Sequence, residues 1–256
     1  MKIVVIGGTG LVGSKLVELL RTHGHHAVAA SRATGVDAFT GEGLELAFED
    51  AEVVVDVANA PNWHEPAVMD FFQTSSRNIL AAEAAADVGH HIALSVVGTA
   101  RPSGNAYFKA KFAQEEVVQG STIPYSILRA AQFFEFIDRI VDSNMRDASV
   151  YLPPVFIQPE SADDVAATLA ELALGDPANG IVELAGPEEF RLDELVQRML
   201  EANSDPRRVT VDIKAPYFGA ELNYFSLTPD GQARIAPTHF EDWLSRSTAV
   251  QSTPAT

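Results

Sequence analysis

The feature that most constrains this chain is a cluster of glycines with an apolar run before it and a helical pattern after it. Lys2-Ile3-Val4-Val5-Ile6 stops at Gly7-Gly8, inside the segment Gly7-Gly8-Thr9-Gly10-Leu11-Val12-Gly13. Leu11, Val12, Leu16, Leu19 and Leu20 then recur at helical spacing as far as Gly24. A strand that turns this tightly into a helix leaves the helix N-terminus, with its free N–H groups and positive dipole end, facing the turn. A β-carbon in the turn would hold a ligand off the backbone, and the last glycine lets helix and strand pack closely. The context predicts a pyrophosphate-binding turn over Gly7, Thr9, Gly10, Leu11, Val12 and Gly13. Gly8 to Gly13 also has the span of a triphosphate-binding P-loop. There Ser14-Lys15 follows where Lys-Ser or Lys-Thr is needed, so the lysine is out of register.

Short apolar runs recur at 26–31, 53–57, 91–97 and 125–128, separated by helical patterns through 72–89 and 108–118. Strands and helices in alternation imply parallel βαβ units, and uninterrupted apolar strands imply a sheet covered on both faces. Beyond about residue 145 the rhythm changes. Pro153-Pro154 and Pro159 interrupt the chain, then helices are expected at 162–174, 192–200 and 240–244, with strands at 181–184 and 208–213. The fold class expected is α/β, a Rossmann-like doubly wound parallel sheet with a small C-terminal α/β substrate-binding portion. The cofactor-binding domain is placed at 1–150, with some C-terminal segments returning to it. The smaller portion covers 151–245, and the Ser/Thr/Pro-rich tail at 246–256 is expected to be disordered.

Charge and composition remove several function classes. Eighteen basic against 35 acidic residues, a net −17, exclude the basic surface that nucleic acid requires. The absence of cysteine excludes thiolate zinc sites and cysteine nucleophiles and fits a reducing compartment. The N-terminal apolar run ends at Gly7, too soon for a secretory signal, and nothing approaches the ~18 apolar residues of a membrane span. A cytoplasmic protein with no membrane partner is expected. His25-His26 and His90-His91 are not read as metal ligands, because neighbours in a strand point to opposite faces. Asp163-Asp164 opens a helix, where anions favour the dipole, and no Gly-x-Ser-x-Gly nucleophile elbow is present.

Three further groups carry chemistry. About 20 residues past the glycine turn, where a carboxylate would bind the adenosine ribose of NAD, the chain has Ser31-Arg32. A guanidinium there pairs with a 2′-phosphate, which favours NADP(H) over NAD(H). Ala58 and Asn59, closing the 53–57 run, lie at the same sheet edge and complete the expected cofactor set with Lys111. Tyr107 and Lys111 stand one helical turn apart on one face, a phenol that can protonate an alkoxide and an ammonium that can lower its pKa. Phe133, Phe134 and Phe136 follow the 125–128 strand, and Asn62-Trp63 follow the 53–57 strand. Open α/β sheets bind ligands at that edge, so Trp63, Phe133 and Phe134 are candidate substrate contacts, although so aromatic a run suits a core equally well.

The GGTGLVG turn, Ser31-Arg32, LSVVG and YFKAK, with SILRAAQFFEF, Asp163-Asp164-Val165-Ala166 and VELAGPEEF, resemble the atypical short-chain dehydrogenase/reductases with NmrA-like sequences, over about residues 1–245. The resemblance implies that the turn and Ser31-Arg32 hold cofactor and that Tyr107 and Lys111 match the catalytic pair. The hydroxyl that competent members place near the substrate carbonyl falls at Val96-Val97. Ser95, taken as the third catalytic residue, and Thr99 are the hydroxyls within reach. The expected function is an NADP(H)-dependent oxidoreductase reducing a small or medium apolar carbonyl, alkene or quinone-like substrate. The rival is a non-catalytic NADP(H)-binding redox sensor that regulates a partner protein. A sugar-nucleotide epimerase is weaker, since only about a hundred residues remain for a second domain. The partners expected are a small-molecule substrate and, for a sensor, a protein. A homodimer is compatible with the sequence.

Overall fold

The structure, a computed structural model, describes the chain except for residues 102, 103, 221 and 252–256 and the side chains of 248–251. The N-terminal half runs β1 (Lys2–Ile6), α1 (Leu11–Thr22), β2 (His26–Ala30), α2 (Leu44–Phe48), β3 (Val53–Asp56), α3 (Ala67–Ala85), β4 (His90–Val96), α4 (Ala106–Gln119) and β5 (Tyr125–Ala130). It continues with α5 (Ile137–Ser143), β6 (Met145–Arg146), β7 (Ser149–Leu152), β8 (Phe156–Ile157), α6 (Ala162–Leu174), β9 (Gly180–Ala185), β10 (Phe190–Arg191), α7 (Leu192–Ala202), β11 (Arg208–Val211), β12 (Arg234–Ile235) and α8 (Phe240–Gln251).

Seven strands form one parallel sheet in the order β12-β9-β5-β4-β3-β1-β2. This is the doubly wound α/β architecture. β1 lies between β2 and β3, so successive crossovers leave it in opposite directions and open a crevice at its C-terminal end. The register lines that edge up, with Ile6 opposite Ala30 on one side and Asp56 on the other. The interior strands are apolar on both faces because helices cover both. Val53, Val54, Val55 and Asp56 of β3 are all buried.

One apolar core joins the sheet to α1 and α6 through Leu16, Leu20, Val165 and Leu169. A second, on the opposite face, gathers Val4, Val54, Leu44, Phe48 and Ile79. The third lies under the C-terminal segments, with Phe134, Ile140, Leu152, Leu195 and Phe240. β6, β7 and β11 form a small three-stranded sheet and β8 pairs with β10, whereas β9 and β12 extend the main sheet. The second half of the chain is thus shared between the main sheet and the small C-terminal layer.

Local chemistry explains the helix starts that matter for the site. Asn105 Oδ1 accepts the N–H groups of Tyr107 and Phe108 at 2.9 and 3.2 Å, capping α4 and fixing where Tyr107 enters it. Ser161 Oγ accepts from Asp164 N at 3.1 Å to cap α6, with Asp163 and Asp164 in its first turn. The final helix passes the expected boundary at 245 and reaches Gln251. Ser245 and Ser247 donate to the carbonyls of Asp242 and Leu244, so these polar residues stay helical. Residues 252–256 of the expected tail lie outside the described residues. Among the described residues, no helix is long and apolar enough to cross a membrane.

Candidate functional site

A cavity of about 710 Å³ runs along the C-terminal edge of the sheet, from the glycine turn past Tyr107 to a cluster of aromatic rings. At its centre the chain leaves β1 at Gly7, whose φ of +80° favours glycine. A β-carbon on Gly13 would lie 2.3 Å from the Gly7 carbonyl oxygen, so only glycine lets α1 come this close to the turn. α1 is preceded by Gly10 in extended conformation and has no side-chain cap, leaving its first N–H groups turned toward the cavity edge that Thr9, Gly10, Leu11, Val12 and Gly13 line. Lys15, the lysine of the P-loop register, points elsewhere: its Nζ donates to Asp163 Oδ1 at 2.7 Å.

Ser31 and Arg32 line the end of the cavity beyond β2. Thr34 Oγ1 accepts from Ser31 N at 2.8 Å and donates back to this segment, holding the single 3-10 turn that presents Arg32. Ser31 Oγ is shielded and has no hydrogen-bond partner among the described residues. The Arg32 side chain is exposed and makes no hydrogen bond or ion pair among them. Asp37 lines the same end, a residue that sequence spacing did not single out, with Oδ1 accepting from Phe39 N at 2.9 Å. Ala58 and Asn59 follow β3 across from the glycine turn, and a β-carbon on Gly7 would lie 2.9 Å from the Ala58 backbone. An uncapped helix N-terminus, an orphaned shielded hydroxyl and an unpaired guanidinium along one cavity fit an adenine dinucleotide.

At the other end, Tyr107 and Lys111 both line the cavity from α4. Burial pushes the Tyr107 phenol above its ordinary value of 10, while a hydrogen bond with the Asn59 side chain eases ionisation. Asn59 Oδ1 accepts from Ala60 N at 2.9 Å, which leaves its NH₂ group to face the phenol oxygen. Lys111 does not take the role of lowering the Tyr107 pKa toward neutrality. Its Nζ donates to Leu94 O at 2.6 Å and to Gln114 Oε1, and lies 4.4 Å from the centre of the Phe72 ring. Gln114 Nε2 in turn donates to Asp56 Oδ2 at 2.9 Å, forming a buried polar chain from α4 to the end of β3. Burial lowers the ammonium to about 8, against the opposing pull of Asp56 and Glu115.

Ser95 lines the cavity, but its hydroxyl is engaged by an internal partner. Its Oγ donates to Glu115 Oε1 at 2.5 Å, and Thr99 donates to the same oxygen at 3.1 Å. Arg129 closes on Glu115 with two bonds, Nε to Oε1 at 2.9 Å and Nη2 to Oε2 at 2.6 Å. Glu115 is fully buried, so these donors meet the need of an anion removed from water. The hydroxyl is thereby committed to the packing of α4 on the sheet, and Asn59 is the polar side chain left at the Tyr107 phenol.

The aromatic end contains Trp63, with its ring 4.7 Å from Tyr107, 5.5 Å from Phe136 and 5.4 Å from Phe218. Phe133 lines the cavity, but Phe134 does not. Phe134 turns into the C-terminal core, buried against Phe240 and Trp243 at 5.6 and 5.1 Å. The 3-10 turn over 134–136 rotates adjacent rings to different sides, so Phe136 takes the lining position. Tyr217, Phe218, Gln132 and Arg139 also line the cavity. Gln132 is buried with neither amide atom hydrogen-bonded among the described residues. Gln132 and Arg139 belong to the aromatic segment after β5, whereas Tyr217 and Phe218 come from a loop some 80 residues further on with no pattern of its own. No group of three metal-ligating side chains occurs among the described residues. His90 and His91 face opposite sides, Nε2 of His90 at 2.9 Å from Ser126 Oγ and Nδ1 of His91 at 2.7 Å from Glu83 Oε1.

Fold and cavity together define a dinucleotide-binding protein of the Rossmann type, oxidoreductase-like in architecture. The NAD(P)H-binding family profile matches residues 7–175, well over half of the chain, and the chain belongs to that family. Curated proteins offer no match. Among solved structures, it is similar to a UDP-N-acetylglucosamine 4-epimerase from Bacillus cereus, with 15% identity, TM-score 0.74 and coverage of 100% of this chain and 98% of that one. A dTDP-4-dehydrorhamnose reductase from Clostridium acetobutylicum matches at 16% identity and TM-score 0.74 over 98% and 100% of the two chains. The Bordetella bronchiseptica enzyme WbmG in complex with NAD matches at 18% identity and TM-score 0.71 over 97% and 93%. At these identities the likenesses show a shared Rossmann-type α/β fold.

Proposed function

We propose that this protein is an NADP(H)-dependent oxidoreductase of the cytoplasm that reduces a small or medium apolar carbonyl, alkene or quinone-like substrate. The observation that carries the reading is the single cavity that links unpaired Arg32, the glycine turn and Tyr107. The α1 N-terminus and the glycine turn would hold the pyrophosphate, Ser31 and Arg32 the adenosine phosphate, and Gln132 the nicotinamide carboxamide. A bound nicotinamide cofactor supplies the hydride. Tyr107 Oη, kept protonated by burial, donates its proton to the oxygen of the reduced substrate while the Asn59 amide supports the resulting phenolate. Lys111, a buried cation that lines the cavity, would face the nicotinamide ribose of a bound cofactor.

A second reading, a redox sensor that binds NADP(H) without turnover and reports its state to a partner protein, is favoured by one observation. The Ser95 hydroxyl and the Lys111 ammonium are both engaged by internal partners. Calorimetric titration with NADPH, NADP⁺, NADH and NAD⁺ tests the common core of both readings. Phosphorylated cofactors should bind about 10- to 100-fold tighter, the worth of a charge-assisted contact, and Arg32→Ala should erase the difference. Equal binding of NADH, with Asp37 on its ribose, would overturn the NADP preference. Oxidation of NADPH with aromatic carbonyls or quinones then separates enzyme from sensor.

A further inference from the structure

Resting on the oxidoreductase reading, we infer that the substrate end of the cavity takes a flat conjugated ring bearing an anionic group, a carboxylate or phosphate, with Arg139 as the residue that reads the anion. Three aromatic side chains from separate parts of the chain meet there. Trp63 comes from the loop after β3, Phe136 from the turn after β5 and Phe218 from the loop after β11, with ring centres 5.4 to 5.7 Å apart. Trp63 also lies against Tyr107. Flat π faces from three segments accept a planar guest by offset stacking, and a saturated one gains less.

The charge at this end is the second observation. Arg139 lines the cavity from the first turn of α5, its guanidinium carbon 5.7 Å from the centre of the Phe136 ring. The guanidinium makes no hydrogen bond or ion pair among the described residues. Arg101, Arg129, Arg191, Arg198 and Arg207 hold carboxylates, whereas Arg139, like Arg32 at the other end of the cavity, has none. The carboxylate lining the same end is already committed. Glu135 accepts two contacts from Ala162 N at 3.2 Å and one from Trp243 Nε1 at 3.2 Å. A cation held over an aromatic face, with its N–H fork unused, is suited to bidentate recognition of an oxyanion on a stacked guest.

Three compounds that share one flat ring system, 2-naphthoate, 2-naphthyl phosphate and 2-naphthamide, are titrated calorimetrically against the whole protein, with and without saturating NADP⁺. An anion should bind at least tenfold tighter than the amide, and the ratio of the two anions identifies which group the site prefers. Arg139→Ala should collapse the anion-to-amide ratio to near one, and Arg139→Lys should restore part of it. Binding without anion preference, an unchanged ratio in Arg139→Ala, or no binding of any ring compound overturns the inference. Because NADP⁺ affinity is read separately, these outcomes are distinct from failure of the cofactor reading.

Discussion

Tyr107 holds its proton because its environment is poor in water and rich in rings, with Trp63 at 4.7 Å and Phe72 edge-on at 5.7 Å. Such a phenol is neutral at physiological pH and gives up its proton only to a strongly basic oxygen, such as the alkoxide left by hydride addition. Tyr107→Phe keeps the rings and removes the proton. It should lower turnover about 10²- to 10⁴-fold while changing the NADP(H) dissociation constant little, as measured by steady-state kinetics and calorimetry. Retained turnover would show that the proton comes from elsewhere. The Tyr107–Lys111 spacing was legible in the sequence because one helical turn fixes it. What Lys111 does was not, since Leu94, and Asp56 reached through Gln114 one turn along the same helix, lie on two strands whose placement depends on the sheet. The same holds for Ser95, whose hydroxyl is claimed by Glu115 twenty residues on.

The strand–turn–helix element around Gly7–Gly13 is where local pattern and tertiary structure coincide most closely. Three neighbouring segments, β1, α1 and the chain after β3, converge within contact distance there, so the glycines have steric as well as ligand-binding reasons to be glycines. Gly13→Ala would force a β-carbon to within 2.3 Å of a backbone carbonyl. Overpacking of this kind costs about 1–3 kcal/mol, and it lifts α1 from the turn. Urea denaturation should show a loss in that range, with cofactor affinity falling by more than tenfold. Gly24→Ala is the control. At a φ of +82° with nothing within 4 Å of the added carbon, it should cost only the left-handed strain of about 1 kcal/mol and leave cofactor affinity unchanged. A Gly13→Ala variant that binds NADPH normally would mean that the turn can open without affecting the ligand. Long elements such as α6 were legible because their apolar spacing is sustained. α2, α5 and the two-residue strands β6, β8, β10 and β12 were not, because so few residues carry no periodicity and tertiary contacts alone define them.

At the scale of the whole molecule, the same packing that closes the cores leaves ionisable groups inside them, and these tie stability to pH. The paired histidines at the start of β4 show how much depends on which face a strand residue takes. Alternation predicted that they diverge, but what each meets was hidden in the sequence, because Glu83 lies on α3 and Ser126 on β5. His91 is held above its ordinary range by Glu83 despite burial, so it favours the protonated state. His90 behaves in the opposite sense. Burial, with His91 adding to it, depresses its pKa from 6.5 to about 4. In the unfolded chain the imidazole takes up a proton as pH falls through 6.5, whereas the folded protein resists until about 4. The unfolded state therefore binds more protons throughout that window, so His90's contribution is complete above 6.5 and drains away as pH falls toward 4. Glu83 and Asp56, whose pKa values burial raises, act with the opposite sign, so the total profile mixes several groups. Comparison with His90→Gln isolates one of them. Gln keeps a polar group near Ser126 but does not titrate. Urea unfolding of both proteins from pH 7.5 to 4.5 should therefore show the wild-type advantage shrinking steadily below pH 6.5, and a gap that stays constant would mean that His90 is as easily protonated folded as unfolded.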